Sequence, residues 1–271
     1  MKAADEPLRV PILCPACGRG KLAAPAAAHL EYVCPQCSAK YPVDGGVIDL
    51  LPGTAQRPNF AQRSMQFDPL IRIYESRLWR RSSVAKIIMG IGFEDEYALI
   101  ADAAVLGKTE FLLDLACGPG IYARRFARKI GAGAVVGLDL SMPMLHYASR
   151  MVREEGIGNL MLLHGNAMAL PFEPGQFEVV NCCGALHLFP DIGRVIGEVG
   201  RVLKPGGRFT IATSRRADGW IAQQWFKFIS SIGVEAFTFS QLESILAQAG
   251  FTSKCLHAAA GWMVIAATRN G

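Results

Sequence analysis

Four cysteines carry the most specific local chemistry in this chain: Cys14-Pro-Ala-Cys17 and, after sixteen intervening residues, Cys34-Pro-Gln-Cys37. A C-x2-C pair turns tightly enough to aim two thiolates the same way, and two such pairs at this separation converge on one tetrahedral ion. Gly18 and Ser38 follow the second cysteine of each pair, small as so tight a turn requires. Structural disulfides and a redox pair are the rival readings. The first needs an oxidising compartment, for which there is no signal, and the second needs a single pair inside a βαβ unit. Structural zinc on Cys14, Cys17, Cys34 and Cys37 is therefore expected. Four thiolates close the coordination sphere, so the ion would hold a small module together and would not catalyse.

A second constellation lies in Phe111-Leu-Leu-Asp114-Leu-Ala116-Cys117-Gly118-Pro-Gly120 and Ala134-Val-Val-Gly-Leu-Asp139. Each apolar run ends in or near an acid. The first turns on small residues into an amphipathic Arg/Ala/Phe stretch, 121–130, which reads as a helix. Gly118 and Gly120 lack a Cβ, so a ligand can lie against main-chain N–H groups at the helix start. Asp139 stands roughly 20 residues past the turn, where a nucleotide-binding sheet places a carboxylate for ribose hydroxyls. Acid and glycine turn together predict an adenosine-type ligand.

These residues must be positioned by a sheet, and the chain has the means to build one. At 271 residues, with 51% hydrophobic and 19% charged, it can hold one α/β domain of ordinary size plus a small module. Residues 8–52 are read as the zinc-ribbon module, with Glu31-Tyr-Val and Lys40-Tyr-Pro-Val as short strands. Residues 53–66 are polar, without period, and read as a linker. The α/β domain is expected over 67–271, beginning with a helix over 67–90 that carries Ile71, Tyr74, Leu78 and Trp79 near one face.

Further elements follow: a helix over 94–105, a helix after Ser141 as cap with Pro143 in its first turn, and strands at 160–164 and 177–183. A helix over 192–203 leads through Lys204-Pro-Gly-Gly207, read as a turn, into a strand over 208–213. Residues 218–234 gather Trp220, Trp225, Phe226 and Phe228, either a lid or a core helix. Thr238-Phe-Ser240-Gln-Leu-Glu243 reads as a capping box with Ser240 as the cap. Two apolar runs around Gly261 predict a hairpin.

Net charge is +5 with a pI near 8.8, too mild to demand nucleic acid. Arginines cluster at 72, 77, 80 and 81, and at 124, 125 and 128 beside Lys129, which leaves RNA open as a partner. The start Met-Lys-Ala-Ala-Asp-Glu-Pro has no apolar signal region, and no uncharged apolar run approaches the ~18 residues of a membrane helix. A soluble, cytoplasmic protein is expected.

Taken in order, D-L-A-C-G-P-G (114–120), H-G-N-A-M-A-L-P-F (164–172) and R-V-L-K-P-G-G-R-F (201–209) resemble signatures of the class I S-adenosylmethionine-dependent methyltransferases, over residues 67–268. The resemblance implies a Rossmann-like, doubly wound, seven-stranded α/β sheet with an antiparallel C-terminal hairpin, preceded by the small zinc ribbon. The N-terminal module is similar to those in front of bacterial 23S rRNA guanine-N1 methyltransferases and of some plant plastid methyltransferases. The rRNA enzymes typically use a histidine where Cys37 stands, and the plastid proteins look closer.

By this resemblance, S-adenosylmethionine would contact Tyr74, Asp114, Ala116, Cys117, Gly118, Gly120, Asp139, Leu140, Met144, Asn166, Ala167, Met168 and Cys183. Its ribose would lie on Asp139 and its adenine between Met144 and Asn166-Ala167. Asn166 stands where the family commonly has Asp, and its side-chain carbonyl can accept the same bond. His187, after the strand at 177–183, either takes a proton from an acceptor or merely lines the pocket. The favoured substrate is a small or medium apolar molecule such as a quinone or phenol, because of the aromatic stretch and the modest charge. An RNA methyltransferase that grips RNA through the ribbon, and a non-catalytic protein partner, are the competing readings. Asp139→Ala is expected to abolish cofactor binding with the fold intact.

Overall fold

The runs read above as strands pair into one sheet, whose central parallel strands are apolar along most of their length and buried on both faces. The molecule is described by a computed structural model over residues 10–24, 31–53, 86–87, 89–131, 133–216, 235–259 and 261–271. Its strands are β1 (Glu31–Val33), β2 (Lys40–Asp44), β3 (Val47–Asp49), β4 (Phe111–Leu115), β5 (Ala134–Asp139), β6 (Leu160–His164), β7 (Phe177–Cys183), β8 (Leu203–Ser214), β9 (Phe251–Ala259) and β10 (Trp262–Arg269). Among the described residues they lie in the order β1-β2-β3-β6-β5-β4-β7-β8-β10-β9.

The stretch β6-β5-β4-β7-β8-β10-β9 is the expected seven-stranded sheet: parallel from β6 to β8, then closed by the antiparallel hairpin β9–β10. What the sequence did not signal is its continuation. β3 pairs in parallel with β6, Val47 opposite Leu162 and Asp49 opposite His164, so the N-terminal hairpin extends the same sheet.

Helices α1 (Phe93–Ala104), α2 (Ile121–Lys129) and α3 (Met142–Glu154) cover one face. Helices α4 (Ile192–Val202) and α5 (Phe239–Gln248) cover the other. Alternation along each strand feeds the two cores. Leu112, Val135, Leu162 and Val179 meet Tyr97, Phe126 and Leu145 on the first face, while Leu113, Val136, Leu163 and Val180 meet Val195, Val199 and Leu246 on the second. Phe126 is fully buried, and Phe126→Ala should cost roughly 3–5 kcal/mol, readable in denaturant unfolding.

The N-terminal module shares the second core through Val10, Ile12, Tyr41 and Leu50. Leu13 N–H donates to Pro171 O at 2.8 Å and Gln176 Nε2 to Pro11 O at 2.9 Å. On the other side the β2–β3 turn sits against α3, where Ser149 Oγ donates to Gly45 O at 2.6 Å and Arg153 Nη1 to the same oxygen at 2.9 Å. Gly46 has φ +87°, and a Cβ there would stand 2.7 Å from Ser149 Oγ, so only glycine fits this turn.

Two local expectations change. Lys204-Pro-Gly-Gly207 does not separate α4 from a later strand. β8 starts at Leu203, which pairs with Phe177, and pairing resumes at Arg208 opposite Val179, so the four residues bulge out of one strand. The α5 cap is Thr238 and not Ser240: its side chain accepts from Gln241 N–H at 3.2 Å, and Gln241 Oε1 accepts from Thr238 N–H at 2.9 Å. The flanking apolar residues decide the register. With Thr238 as cap, Phe237 and Leu242 occupy the hydrophobic-staple positions and both are buried, whereas a Ser240 cap would put Ser244 there. Thr238→Ala should lower stability by about 1 kcal/mol, measured by thermal unfolding.

Residues 54–66 of the expected linker, residues 67–85 of the helix expected over 67–90, with Tyr74 and Trp79, and the aromatic stretch 218–234 lie outside the described residues.

Candidate active site and metal centre

The turn after β4 is built from left-handed residues. Ala116, Gly118 and Gly120 have φ of +53°, +53° and +77°. Glycine takes this conformation freely, but at Ala116 it costs about 1–2 kcal/mol. The tight turn brings Cys117 N–H to Leu138 O at 3.1 Å and starts α2 directly at Gly120. A Cβ on Gly118 would stand 3.3 Å from Met144 Sδ, and one on Gly120 would stand 3.2 Å from Ala148 Cβ. The glycines thus let the turn approach α3 closely.

Asp139, at the end of β5, ties to the turn. Its Oδ2 accepts Gly118 N–H at 2.7 Å and its Oδ1 accepts Ser141 N–H at 2.8 Å. Each oxygen keeps a further lone pair, which is what a vicinal diol requires. Burial pushes the carboxyl above its ordinary range. The Ser141, Gly118 and Leu140 amides and the nearby His164 ring pull it back. Cys117, buried beside Asp139 and Asp114, is held as a thiol by burial first and by the two acids second.

Beneath the turn, Asp114 Oδ1 accepts Asn181 Nδ2 at 2.6 Å, across the β4–β7 pairing in which the two residues are direct partners. Asn181 Oδ1 in turn accepts Thr210 Oγ1 at 2.8 Å and Cys183 Sγ at 3.1 Å. Cys183 is therefore on the Asp114 face and half-buried, while Cys182 points away into the other core. Asn181 was not singled out in the sequence, although a polar residue inside Val-Val-Asn-Cys-Cys, fully buried, was the visible signal.

The remaining wall comes from the ends of β5 and β6. Met144 is in the first turn of α3, whose cap Ser141 accepts Met144 N–H at 3.5 Å. Leu140 follows Asp139. Asn166 Oδ1 accepts Met168 N–H at 2.9 Å, an Asx turn that fixes the loop and leaves one lone pair on that oxygen. Ala167 is buried and Met168 half-buried. Of the thirteen residues implied as cofactor contacts, Tyr74 is outside the described residues and the other twelve lie at the carboxyl edge of β4–β7 or in the loops and helix that leave it, the usual ligand crevice of an open α/β sheet.

His187 lies in a 3-10 turn (Leu186–Leu188) after β7, its Nδ1 3.2 Å from Thr213 Oγ1 and its ring edge-on to Trp262 at 5.9 Å between centroids. Trp262 Nε1 donates to Glu96 Oε2 at 2.6 Å, and Tyr122 donates its hydroxyl to Glu96 Oε1. Glu96 is only 1% exposed and sits on the apolar face of α1 among Phe93, Tyr97 and Ile100, a buried acid that the sequence reading did not single out. Burial lowers the His187 pKa to about 4, so the ring is neutral at physiological pH. A folded value below the ordinary 6.5 means that stability is present above 6.5 and is lost as pH falls towards about 4. His187→Asn should flatten that part of the stability–pH curve.

The four cysteines expected to share a metal come together. Their Sγ atoms all lie within 4.8 Å of one another, with Cys14–Cys37 at 3.6 Å and Cys17–Cys34 at 3.7 Å. Zinc–sulfur bonds of about 2.3 Å at tetrahedral angles imply sulfur separations of about 3.8 Å, so the donor set fits a tetrahedral ion. Amides of Gly20 and Arg19 draw Cys17 down to about 6. Against the pull of the Ala39 amide, burial and the other three sulfurs push Cys37 up to about 12. Four adjacent thiolates need a cation to ionise together. Tyr41 OH, 3.2 Å from Cys14 Sγ and accepting Ala16 N–H at 3.1 Å, fixes the first knuckle.

An open parallel sheet with an antiparallel hairpin, a glycine turn after its central strand and an acid after the next has the architecture of methyltransferases. Residues 112–207 match the family model described as Methyltransferase domain, and this stretch of the chain is a methyltransferase domain. Among relatives, the chain is 47% identical to a demethylmenaquinone methyltransferase of Lactococcus lactis over 98 residues, 36% of this chain and 39% of that protein. It is 36% identical to one of Listeria welshimeri over 137 residues, 49% and 58% of the two. It thus spans less than two thirds of these relatives' length. Neither of them is a plastid or an rRNA enzyme.

Among solved structures, YcgJ of Bacillus subtilis superposes with a TM-score of 0.60 at 18% identity, over 66% of this chain and 99% of that one. A phosphoethanolamine N-methyltransferase of Haemonchus contortus in complex with S-adenosyl-L-methionine gives 0.58 at 18%, over 74% and 59%. At such identity the likeness is one of fold. Among the described residues no helix is long and apolar enough to cross a membrane.

Proposed function

We propose that the protein is an S-adenosylmethionine-dependent methyltransferase acting on a small or medium apolar acceptor of the quinone or phenol type, in the cytoplasm, with a structural zinc ion on Cys14, Cys17, Cys34 and Cys37. The observation that carries the cofactor reading is the Gly118–Asp139 cradle: a left-handed glycine turn tied at 2.7 Å to a buried carboxylate that keeps a lone pair on each oxygen. The name of the relatives, demethylmenaquinone methyltransferase, supports a quinone-type acceptor.

When bound, S-adenosylmethionine supplies an electrophilic methyl group on a sulfonium. The chain's own residues bind and orient. Asp139 would hold the ribose diol, Met144, Asn166 and Ala167 the adenine, and the amides at Gly118 and Gly120 the amino-acid part. Asp114 is locked by Asn181 and fixes the turn from below. His187 is a weak base, since burial disfavours its imidazolium. We assign it to accept a hydrogen bond from the acceptor's hydroxyl and so to orient it, in the geometry set by Thr213 and Trp262.

The test is transfer of radiolabel from S-adenosylmethionine by the purified full chain, offered a small-molecule extract or total RNA. Label in an organic-soluble product is expected, with a demethylated quinone as the first defined acceptor. Label confined to RNA would overturn the acceptor class.

A further inference from the structure

Three side chains stand in a row across β3, β6 and β5 at the carboxyl edge: Asp49, His164 and Asp139 are direct register partners. His164 lies between two acceptors. Its Nδ1 is 2.7 Å from Asp49 Oδ1 and its Nε2 is 3.1 Å from Leu140 O. A carbonyl can only accept, so Nε2 carries a proton towards Leu140, and the Nδ1 side is satisfied when a proton is shared with the Asp49 carboxylate. Both side chains are largely buried, at 12% and 19% exposure, so the pair is shielded from solvent. Asp49 is itself fixed, since its Oδ1 also accepts Leu51 N–H at 3.0 Å and Leu50 N–H donates to His164 O at 3.1 Å.

Leu140 is the residue between Asp139 and Ser141, and its own amide is one of those that stabilise the Asp139 carboxylate. His164 therefore holds the peptide that follows this acid. Gly118 N–H holds the carboxylate from the glycine turn and Gly165 N–H holds the Asp139 carbonyl at 2.9 Å, while the Leu140 carbonyl is held by His164.

We propose that Asp49 and His164 are positioning residues for the cofactor-binding acid Asp139, so that the N-terminal module is a working part of the cofactor site. This rests on the reading of Asp139 as the ribose acid. Asp49 arrives from a hairpin whose other end is the metal centre, and it fixes a histidine that fixes the Leu140 peptide. The module contributes no atom to the cofactor in this arrangement. It contributes the rigidity of the wall.

The experiment is calorimetric titration of S-adenosylhomocysteine into the full-length protein, into Asp49→Asn, into His164→Gln and into the double variant, with melting temperature and zinc content measured on each. Asp49→Asn keeps the shape and removes the charge. Each single variant should bind about tenfold more weakly, the scale of one charge-assisted hydrogen bond. The double variant should bind no more weakly than the worse single one, because both act through the same contact. Zinc content should be unchanged. Equal affinity in the single variants, or losses that multiply in the double variant, would overturn the proposal. A wild-type protein that does not bind S-adenosylhomocysteine would sink the cofactor reading itself, and with it this inference. Loss of affinity only in step with melting temperature, restored on cooling, would make the pair merely structural.

Discussion

Asp139→Ala should abolish measurable binding of S-adenosylhomocysteine, an affinity loss of at least about a hundredfold, and should also lower the melting temperature. The first effect follows from two charge-assisted acceptors lost to one ligand, each contributing roughly 1.5–3 kcal/mol. The second corrects the sequence-based expectation that the fold would be untouched. Asp139 accepts Gly118 N–H and Ser141 N–H in a site that is 8% exposed, so alanine leaves two buried donors without a partner. At about 1–3 kcal/mol each, the melting temperature should fall by roughly 5–10 °C. Titration should therefore be run well below the variant's transition. Retained affinity in folded variant would remove Asp139 from the cofactor site.

Removing the metal should have an effect of similar size on a different observable. The protein should carry one zinc per chain, and chelation or Cys34→Ser should lower its melting temperature by about 10 °C, since a structural zinc site contributes its binding energy to folding. Cys34 is fully buried, and the loop approaches it so closely that a Cβ on Gly20 would stand 2.4 Å from its sulfur. Releasing the knuckles would also expose Val10, Ile12 and Tyr41, which pack in the core shared with β4–β6. Cys255→Ser, in β9, is the control and should leave the zinc content at one. Full stoichiometry and an unchanged transition in Cys34→Ser would dismiss the metal centre.

Much of this was legible from residue order because the signals are local. The apolar runs at 111–115 and 134–139, the glycines between them and the cap at Ser141 each act within a few residues, and each forms as read. The cysteine pairs likewise announce their convergence by spacing alone. What stayed hidden depends on contacts between distant segments. Val47-Ile-Asp49 gives no hint that its partner is Leu162-Leu-His164, since any apolar edge would satisfy it. Asn181 is meaningful only once Asp114 lies beside it. The cap at Thr238 was misread because Ser240 and Glu243 fit the polar half of the motif, while the buried pair Phe237 and Leu242 chose the other register. The left-handed backbone of Ala116 stayed hidden because nothing about alanine advertises a positive φ.

The β3–β6 pairing also bears on how the chain can be cut. β6 is an apolar parallel strand with Leu162 and Leu163 buried, and without the N-terminal hairpin its outer row of amides and carbonyls would have no partner. Such a bare edge is a template for another strand. A methyltransferase domain trimmed of its first 52 residues would thus expose a self-adhesive margin, and the small module doubles as the sheet's guard against aggregation.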